Sequence, residues 1–594
     1  MGLPHEDLDY GALLRASRQL DPAGTTQKIR VALLADAATQ RLVPLLQALF
    51  HRSGVAAEIY EAPFDAMELE TCDAHSGLYR FHPDAIVVLN CVQALRTVFG
   101  RFRGNAAGFR DDTIGRITRI WDNIRSRTGA IIIQSNFVMP YERMFGNFDQ
   151  KVADSFYSSV AALNITVAQR ARERHDVLIN DLEAVASWAG RRNWFDDRLW
   201  DMAKYLCALD VMPLVANNLV DLVLCTRGRV VKCLVLDLDN TLWGGVIGDD
   251  GVEGIQLNAH GDGEAFHRFQ HYLRGLMDRG ILLTVCSKND LANALLPFEK
   301  HPGMVLRRED ITVFVANWND KAENIRQIRA TLNIGFDSMV FLDDNPFERS
   351  LVRELLPEVI VPEMPEDPAD YVRAIAELNL FETNSYSEED SKRASLYRQE
   401  AERRASQESF ASVEEFLKSL EMRITVARFD EFHLPRIAQL MQRSNQFNLT
   451  TRRRPESECE ALMKEGGAIP LYAKLADRLG DHGLISIVIL EPRAQEMAIT
   501  DWLMSCRVLA RGVEQFLMNT VFEKARERGL SRVTGEFVPT AKNFMVKDFF
   551  ARFGFAKIAE DEKGRTRWAL ETAAYQPRNT FLNPEQPAMA AAAH

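Results

Sequence analysis

The stretch Val230-Val-Lys-Cys-Leu-Val-Leu-Asp237-Leu-Asp239-Asn-Thr241-Leu-Trp-Gly-Gly-Val-Ile-Gly-Asp-Asp-Gly251 decides how the rest of the chain is read. Its apolar run, bounded by Arg229 and by a turn-rich segment, predicts a strand buried on both faces. Asp237, Asp239 and Thr241 stand at the C-terminal edge of that strand, where open α/β sheets place their ligands. Carboxylates at i and i+2 suit a hard, oxygen-seeking cation such as Mg²⁺. They equally suit covalent phosphoryl transfer, one carboxylate attacking phosphorus and the other moving a proton. An EF-hand loop is excluded, because Thr241 and Leu242 occupy the positions of an oxygen ligand and the required Gly. A strand end capped by Asp-x-Asp with no chemistry would look the same locally, so the downstream residues carry the decision.

Asp-x-Asp-x-Thr after a buried strand resembles the haloacid dehalogenase (HAD) phosphatase superfamily, and three further landmarks appear in the order that resemblance implies. A predicted strand Gly280–Cys286 ends in Ser287-Lys288-Asn289, where the superfamily holds phosphate on Ser or Thr. Lys321 opens a predicted helix, where a Lys neutralises phosphoryl oxygens. A strand Ser338–Leu342 then ends in Asp343-Asp344-Asn345-Pro346, the acidic pair that completes a Mg²⁺ site. The resemblance implies Asp237 as nucleophile, Asp239 as general acid/base, and Thr241, Ser287 and Lys321 as phosphate holders. It implies Asp237, Asp239, Asp343 and Asp344 around Mg²⁺. The intervals after Thr241 and between Ser287 and Lys321 are too short for a cap domain, and an open site suits a substrate carried on a macromolecule. Gly244, Gly245, Gly248 and Gly251 predict a tight flap beyond Thr241.

A chain of 594 residues with 46% hydrophobic and 26% charged residues predicts several soluble globular domains. A net charge of −12 argues against non-specific nucleic-acid binding. The N-terminus carries neither a signal-peptide nor a myristoylation pattern, and no apolar run approaches membrane-spanning length. Eight scattered cysteines without Cys-x-x-Cys read as reduced thiols, and the expected compartment is cytoplasmic.

Residues 1–225 alternate predicted strands (Lys28–Ala35, Val55–Tyr60, Ala85–Leu89, Ala130–Gln134, Val177–Ile179) with helices such as Gln40–His51 and Phe148–Arg174. That rhythm predicts a doubly wound parallel sheet. It resembles an SGNH-type esterase domain without the chemistry: Ala35-Asp36-Ala37 stands at the nucleophile position and Asp197-Arg198-Leu199-Trp200 at the late Asp-x-x-His; Thr39 could replace the serine, but no partnered His accompanies it. A docking or scaffolding role is expected. Residues 226–365 form the HAD-like domain and 366–422 a charged helical connector. Residues 423–573 resemble the GNAT acyltransferase fold, followed by a tail over 574–594. There Arg507, Ala510 and Gly512 fit a loop whose following helix holds a pyrophosphate on its free N–H groups, with Ala510 in place of a Gly. The fold class is therefore α/β throughout, with an α+β C-terminal domain.

Taken together, Asp-Leu-Asp-Asn-Thr-Leu-Trp-Gly-Gly-Val, Asp-Asp-Asn-Pro-Phe-Glu-Arg, Asn445-Gln446-Phe447-Asn448-Leu449-Thr450 and Ser505-Cys506-Arg507-Val508 resemble the FkbH family. The resemblance implies transfer of a glyceryl unit from 1,3-bisphosphoglycerate to an acyl carrier protein, with loss of phosphate, in polyketide and related pathways. Two other classes stay open: a stand-alone phosphatase on a small metabolite, and a non-catalytic carrier-protein scaffold. For an acyl-bearing thiol, Cys506 is favoured over Cys286, since Arg507 and a helix N-terminus both lower a thiol pKa. Cys286, one residue from Ser287 on a strand, points to the opposite face. Arg452-Arg453-Arg454 is a candidate landing site for an acidic carrier, and a solvated turn is the alternative reading of three arginines.

Overall fold

The computed structural model describes residues 8–20, 27–386, 393, 396–399, 413–444, 446–464, 466–478, 480–505, 508–509, 511–540 and 543–585. They fall into two compact units, Met1–Thr226 with Glu377–Asn384, and Arg227–Ala376 with Ser385–His594.

In the first unit β1 (Gln27–Ala35), β2 (Val55–Glu61), β3 (Ala85–Leu89), β4 (Ile131–Ser135) and β5 (Val177–Asn180) form a parallel sheet in the order β2-β1-β3-β4-β5. Successive strand residues alternate between two cores. Ala32, Leu34, Ile86, Val88 and Ile132 enter one, while Val31, Leu33, Val87 and Ile133 enter the other. This two-sided burial is why the strands read as apolar runs. The helix expected over Phe148–Arg174 is broken: a 3₁₀ turn at Gly146–Lys151 precedes a helix at Phe156–Arg172. Ser155 caps the latter by accepting from the Ser158 N–H at 3.1 Å, a polar stop that helical periodicity hides. Part of the expected connector returns to this unit, with Leu380 buried and Asn379 Nδ2 donating to Asp221 at 3.3 Å.

In the second unit β6 (Cys233–Leu236), β7 (Leu282–Ser287), β8 (Ile311–Ala316) and β9 (Met339–Leu342) form a parallel sheet in the order β8-β7-β6-β9. Leu236 is in register with Leu342 and with Val285, so the residues leaving all three strands meet at one edge.

The same unit holds a nine-stranded, mostly antiparallel sheet. It is built from β10 (Arg423–Arg428), β11 (Phe447–Asn448), β12 (Ile469–Asp477), β13 (Gly480–Arg493), β14 (Glu496–Met504), β15 (Arg532–Phe537), β16 (Ala556–Glu560), β17 (Thr566–Glu571) and β18 (Asn583–Glu585). Trp502 and Met504 pack under the helix Val513–Glu527, and Leu503 packs on the opposite face with Ile437 and Met441. The β14–β15 pairing is parallel and runs only from Glu496/Arg532 to Ile499/Gly535. Beyond that point the segment Phe447–Leu449 is wedged between the diverging ends. It pairs with β14 at Phe447–Met504 and Asn448–Leu503, and the Leu449 carbonyl accepts from the Val538 N–H at 2.8 Å.

Candidate active site

Asp237 leaves β6 and Asp343 leaves β9, and register places them side by side, with the Asp237 N–H donating to the Leu342 carbonyl at 3.0 Å. Lys321 starts the helix Lys321–Leu332, which is capped by Asp320 accepting from the Glu323 N–H at 2.8 Å. Its Nζ lies 2.9 Å from Asp237 Oδ1 and 2.5 Å from Asp343 Oδ2. Ligand oxygens of Asp237, Asp343 and Asp344 all fall within 4.8 Å of one another. Burial alone would lower the Lys321 pKa, but the Asp237 and Asp343 charges outweigh it and hold the ammonium charged. Burial, and then the Asp237 charge, push Asp343 and Asp344 above the usual carboxylate range. Three hard carboxylate donors facing one cation leave room in charge for a divalent ion. The donor set therefore fits Mg²⁺.

The hydrogen bonds of Asp239 and Thr241 add detail to two expected roles. The Asp239 carboxylate is not among the converging side-chain ligand groups. Its Oδ1 accepts from Trp243 Nε1 at 2.9 Å and the Ile247 N–H at 3.0 Å, and its Oδ2 accepts from Asn289 Nδ2 at 3.0 Å. The chain turns away at Asn240, whose φ of 54° lies in the left-handed region. Burial raises the Asp239 pKa, in the direction a proton carrier needs. Thr241 is fully buried, and its hydroxyl donates to Asp344 Oδ1 at 3.3 Å while accepting from the Asp344 N–H at 3.1 Å. This pair aligns Asp344. Ser287 ends β7, buried, at the same sheet edge.

Other contributors were less visible in the sequence. Arg349 donates to the carbonyls of Asp343 at 2.9 Å and Asp344 at 2.6 Å and is held by Glu363. Tyr371 donates its hydroxyl to the Asn240 carbonyl at 3.0 Å. The flap closes on a two-way backbone pair between Gly244 and Gln256. A Cβ on Gly244 would stand 2.9 Å from the Phe266 ring, so a side chain there would open it. Among the described residues, the intervals Leu242–Gly263 and Lys288–Asp320 contain short helices and β8 but no cap domain. Val246, Leu291, Trp318 and Phe347, which follow β6, β7, β8 and β9 respectively in the chain, are exposed.

Of the C-terminal candidates, Gly512 precedes the helix Val513–Glu527 with φ 85°, the left-handed cap that glycine allows. Cys506, Arg507 and Ala510 lie outside the described residues. A cavity of about 390 Å³ beside that helix start is lined by Phe447, Leu509, Gln515, Phe549, Arg552 and Arg578. The triple arginine is not a basic surface. Arg453 donates to the Met441 and Gln442 carbonyls, and Arg454 pairs with Asp501 at 2.8 Å, which leaves Arg452 exposed.

In the first unit, buried Ala37 stands where an esterase would carry its serine, and Thr39 is buried with its carbonyl capping the helix Leu42–Arg52. Short-chain nitrophenyl esters should therefore not be turned over by this chain; turnover that survives Asp237→Asn and is lost in Thr39→Ala would refute this. Asp36, leaving β1, is pushed up to about 7 mainly by burial, with Asn90 and Cys91 hydrogen bonds opposing. A raised carboxyl stabilises the fold fully below its unfolded pKa and loses that contribution as pH rises towards 7. Asp36→Asn should thus match wild type near pH 4 and be more stable at pH 8. The gain between those two pH values should be about 4 kcal/mol, the rise from 3.8 to about 7 converted at about 1.4 kcal/mol per unit. Equal unfolding free energies at pH 8 would refute the shift.

Residues 30–224 match the family described as FkbH, N-terminal domain. No curated protein matches the chain. Among solved structures, the N-terminal part of the protein BF1531 from Bacteroides fragilis, containing a phosphatase domain complexed with Mg, is 38% identical. That alignment covers 64% of this chain and 99% of BF1531's, with a TM-score of 0.60. The GNAT domain of S. lividans PAT (19% identity, 25% of this chain, 89% of that one) and the ribosomal-protein-S18-alanine N-acetyltransferase from Escherichia coli (13%, 25%, 94%) align at TM-scores of 0.20 each. At that level they add nothing to the strand order of the nine-stranded sheet.

Proposed function

The chain belongs to the FkbH-like family, and from that premise we propose that it transfers a glyceryl unit from 1,3-bisphosphoglycerate to an acyl carrier protein and removes phosphate at the Asp237 site. The phosphatase-type role rests on the family and on the Mg-containing phosphatase relative. The single observation that carries the chemistry is the convergence of Asp237, Asp343 and Asp344 on one side of Lys321 at the sheet edge.

In this reading an Asp237 oxygen attacks phosphorus, and the phosphate ester bond breaks as the leaving oxygen takes a proton from Asp239. Asp239 then accepts a proton from the water that hydrolyses the aspartyl phosphate. Lys321 holds the equatorial oxygens. Mg²⁺, held by Asp237, Asp343 and Asp344, would offset the remaining phosphoryl charge when bound. The acyl phosphate is already activated, so a thiolate captures the acyl group without ATP and phosphate leaves. A site without a cap domain among the described residues suits a substrate presented on a protein.

Intact-mass analysis of candidate carrier proteins, incubated with the chain, Mg²⁺ and 1,3-bisphosphoglycerate, tests the proposal. A glyceryl thioester without phosphate is expected. Phosphate release with an unmodified carrier would favour a stand-alone phosphatase instead. The acyl adduct on the chain itself should persist in Cys286→Ser and vanish in Cys506→Ser. Cys286 is fully buried, its thiol 3.7 Å from the Lys321 carbonyl, and burial pushes its pKa far up. The reverse pattern would overturn the choice.

A further inference from the structure

The five-stranded sheet of the first unit changes winding direction between β1 and β3, which are neighbours despite β2 lying between them in the chain. Open α/β sheets bind ligands at such a switch point, beyond the carboxyl ends of the strands. A cavity of about 260 Å³ opens there. Asp36, after β1, and Asn90, after β3, line it, and both keep accessible surface at a depth where the strands behind them have none.

The polar end of this cavity is built from the core outward. Buried Trp121 Nε1 donates to Gln134 Oε1 at 3.0 Å, and Gln134 Nε2 donates to Asn90 Oδ1 at 2.8 Å. That chain fixes the Asn90 amide so that its Nδ2 faces Asp36 Oδ2, 3.3 Å away, while the Cys91 N–H holds Asp36 Oδ1 at 2.8 Å. A buried relay that orients one amide towards a cavity is costly to maintain for packing alone. Beyond the polar end the lining is mostly apolar, with Trp200 among its members; Thr97, Thr113 and the carboxylate of Asp65 also line it, as do the cations Arg101, Arg116 and Lys204, which outnumber the carboxylates Asp36 and Asp65. Arg116 is paired with Glu68 at 2.6 Å, and the Lys204 ammonium lies 5.0 Å from the Trp200 ring centroid. Arg101 is exposed at the mouth.

We infer that this cavity is a binding site for a small organic anion. An uncharged hydroxyl or carbonyl end sits on Asp36 and Asn90, a short carbon chain lies along the apolar wall, and a carboxylate or phosphate meets Arg101 and Lys204. At neutral pH a partly protonated Asp36 supplies the donor that such an end needs, consistent with its pKa of about 7. The site is separate from the Asp237 centre and does not depend on how that centre is read.

Calorimetric titration of the full chain in divalent-free buffer tests this, with 3-hydroxybutyrate as carboxylate probe, glycerol 2-phosphate as phosphate probe and 1,3-butanediol as neutral control. The background variant Lys321→Met removes the anion-holding cation of the Asp237 centre. The cavity variant is Arg101→Glu with Lys204→Asn; Asn tolerates the left-handed backbone at position 204 (φ 57°). One-site binding of either anionic probe is expected, unchanged in Lys321→Met, weakened about tenfold or more in the cavity variant, and absent for the diol. Whichever probe binds identifies the anion. No binding of either probe at roughly 10 mM, or binding lost in Lys321→Met and kept in the cavity variant, would overturn the inference. Unfolding midpoints measured in the same divalent-free buffer, above the titration temperature for both Lys321→Met and the cavity variant, show that both are folded when titrated.

Discussion

Asp237→Asn is expected to abolish phosphate release, by on the order of a thousandfold or more, while leaving the fold intact. The amide keeps the side-chain shape but has no nucleophilic charge and is a poorer ligand for a hard cation. Structure adds a second half to this expectation. In the metal-free protein Asp237, Asp343 and Asp344 repel one another around a single ammonium, so removing one charge relieves the cluster, and Lys321 retains Asp343 at 2.5 Å. The variant should therefore unfold no earlier than wild type without metal and gain less from added Mg²⁺. Phosphate release near the wild-type rate at saturating Mg²⁺ would remove Asp237 from the nucleophile's role.

Lys321→Met should produce the largest loss of metal-free stability of any single change at this edge. Lys321 is buried and its two partners are buried with it, side-chain exposure being 4% for Lys321, 9% for Asp237 and 0% for Asp343. Removing one member of such a group strands the others as uncompensated charge, at a cost of about 3–5 kcal/mol. Mg²⁺ bound by the same carboxylates should recover much of that stability, whereas activity should stay lost because no ammonium faces the phosphoryl oxygens. Urea denaturation with and without Mg²⁺ separates the two effects. Metal-free stability equal to wild type would show that Lys321 does not balance the cluster.

The features legible in the sequence are those that local rules govern. Apolar runs such as Ala85–Leu89 are strands because two-sided burial demands them, and Asp237 and Asp343 reach one edge because parallel strands share a direction. The opposite facing of Cys286 and Ser287 likewise comes from strand alternation, and Cys286 packs in the core with Val315 and Ile325.

Partners distant along the chain decided the rest. Thr241 meets Asp344, a residue 103 positions away. The Asp239 carboxylate is taken up by Trp243, Ile247 and Asn289, and a donor's position is not encoded in an Asp-x-Asp spacing. The three arginines at 452–454 looked like a surface charge until Asp501 and the Met441 and Gln442 carbonyls claimed two of them. The cavity beside Asp36 shows the same division. Its residues are spread from Asp36 to Lys204, and sequence alone marked that region by the chemistry it lacks. Periodicity determines which face of a strand or helix is buried. Which polar atoms converge across a sheet edge is set by register and by loops, and these are settled only when the chain closes on itself.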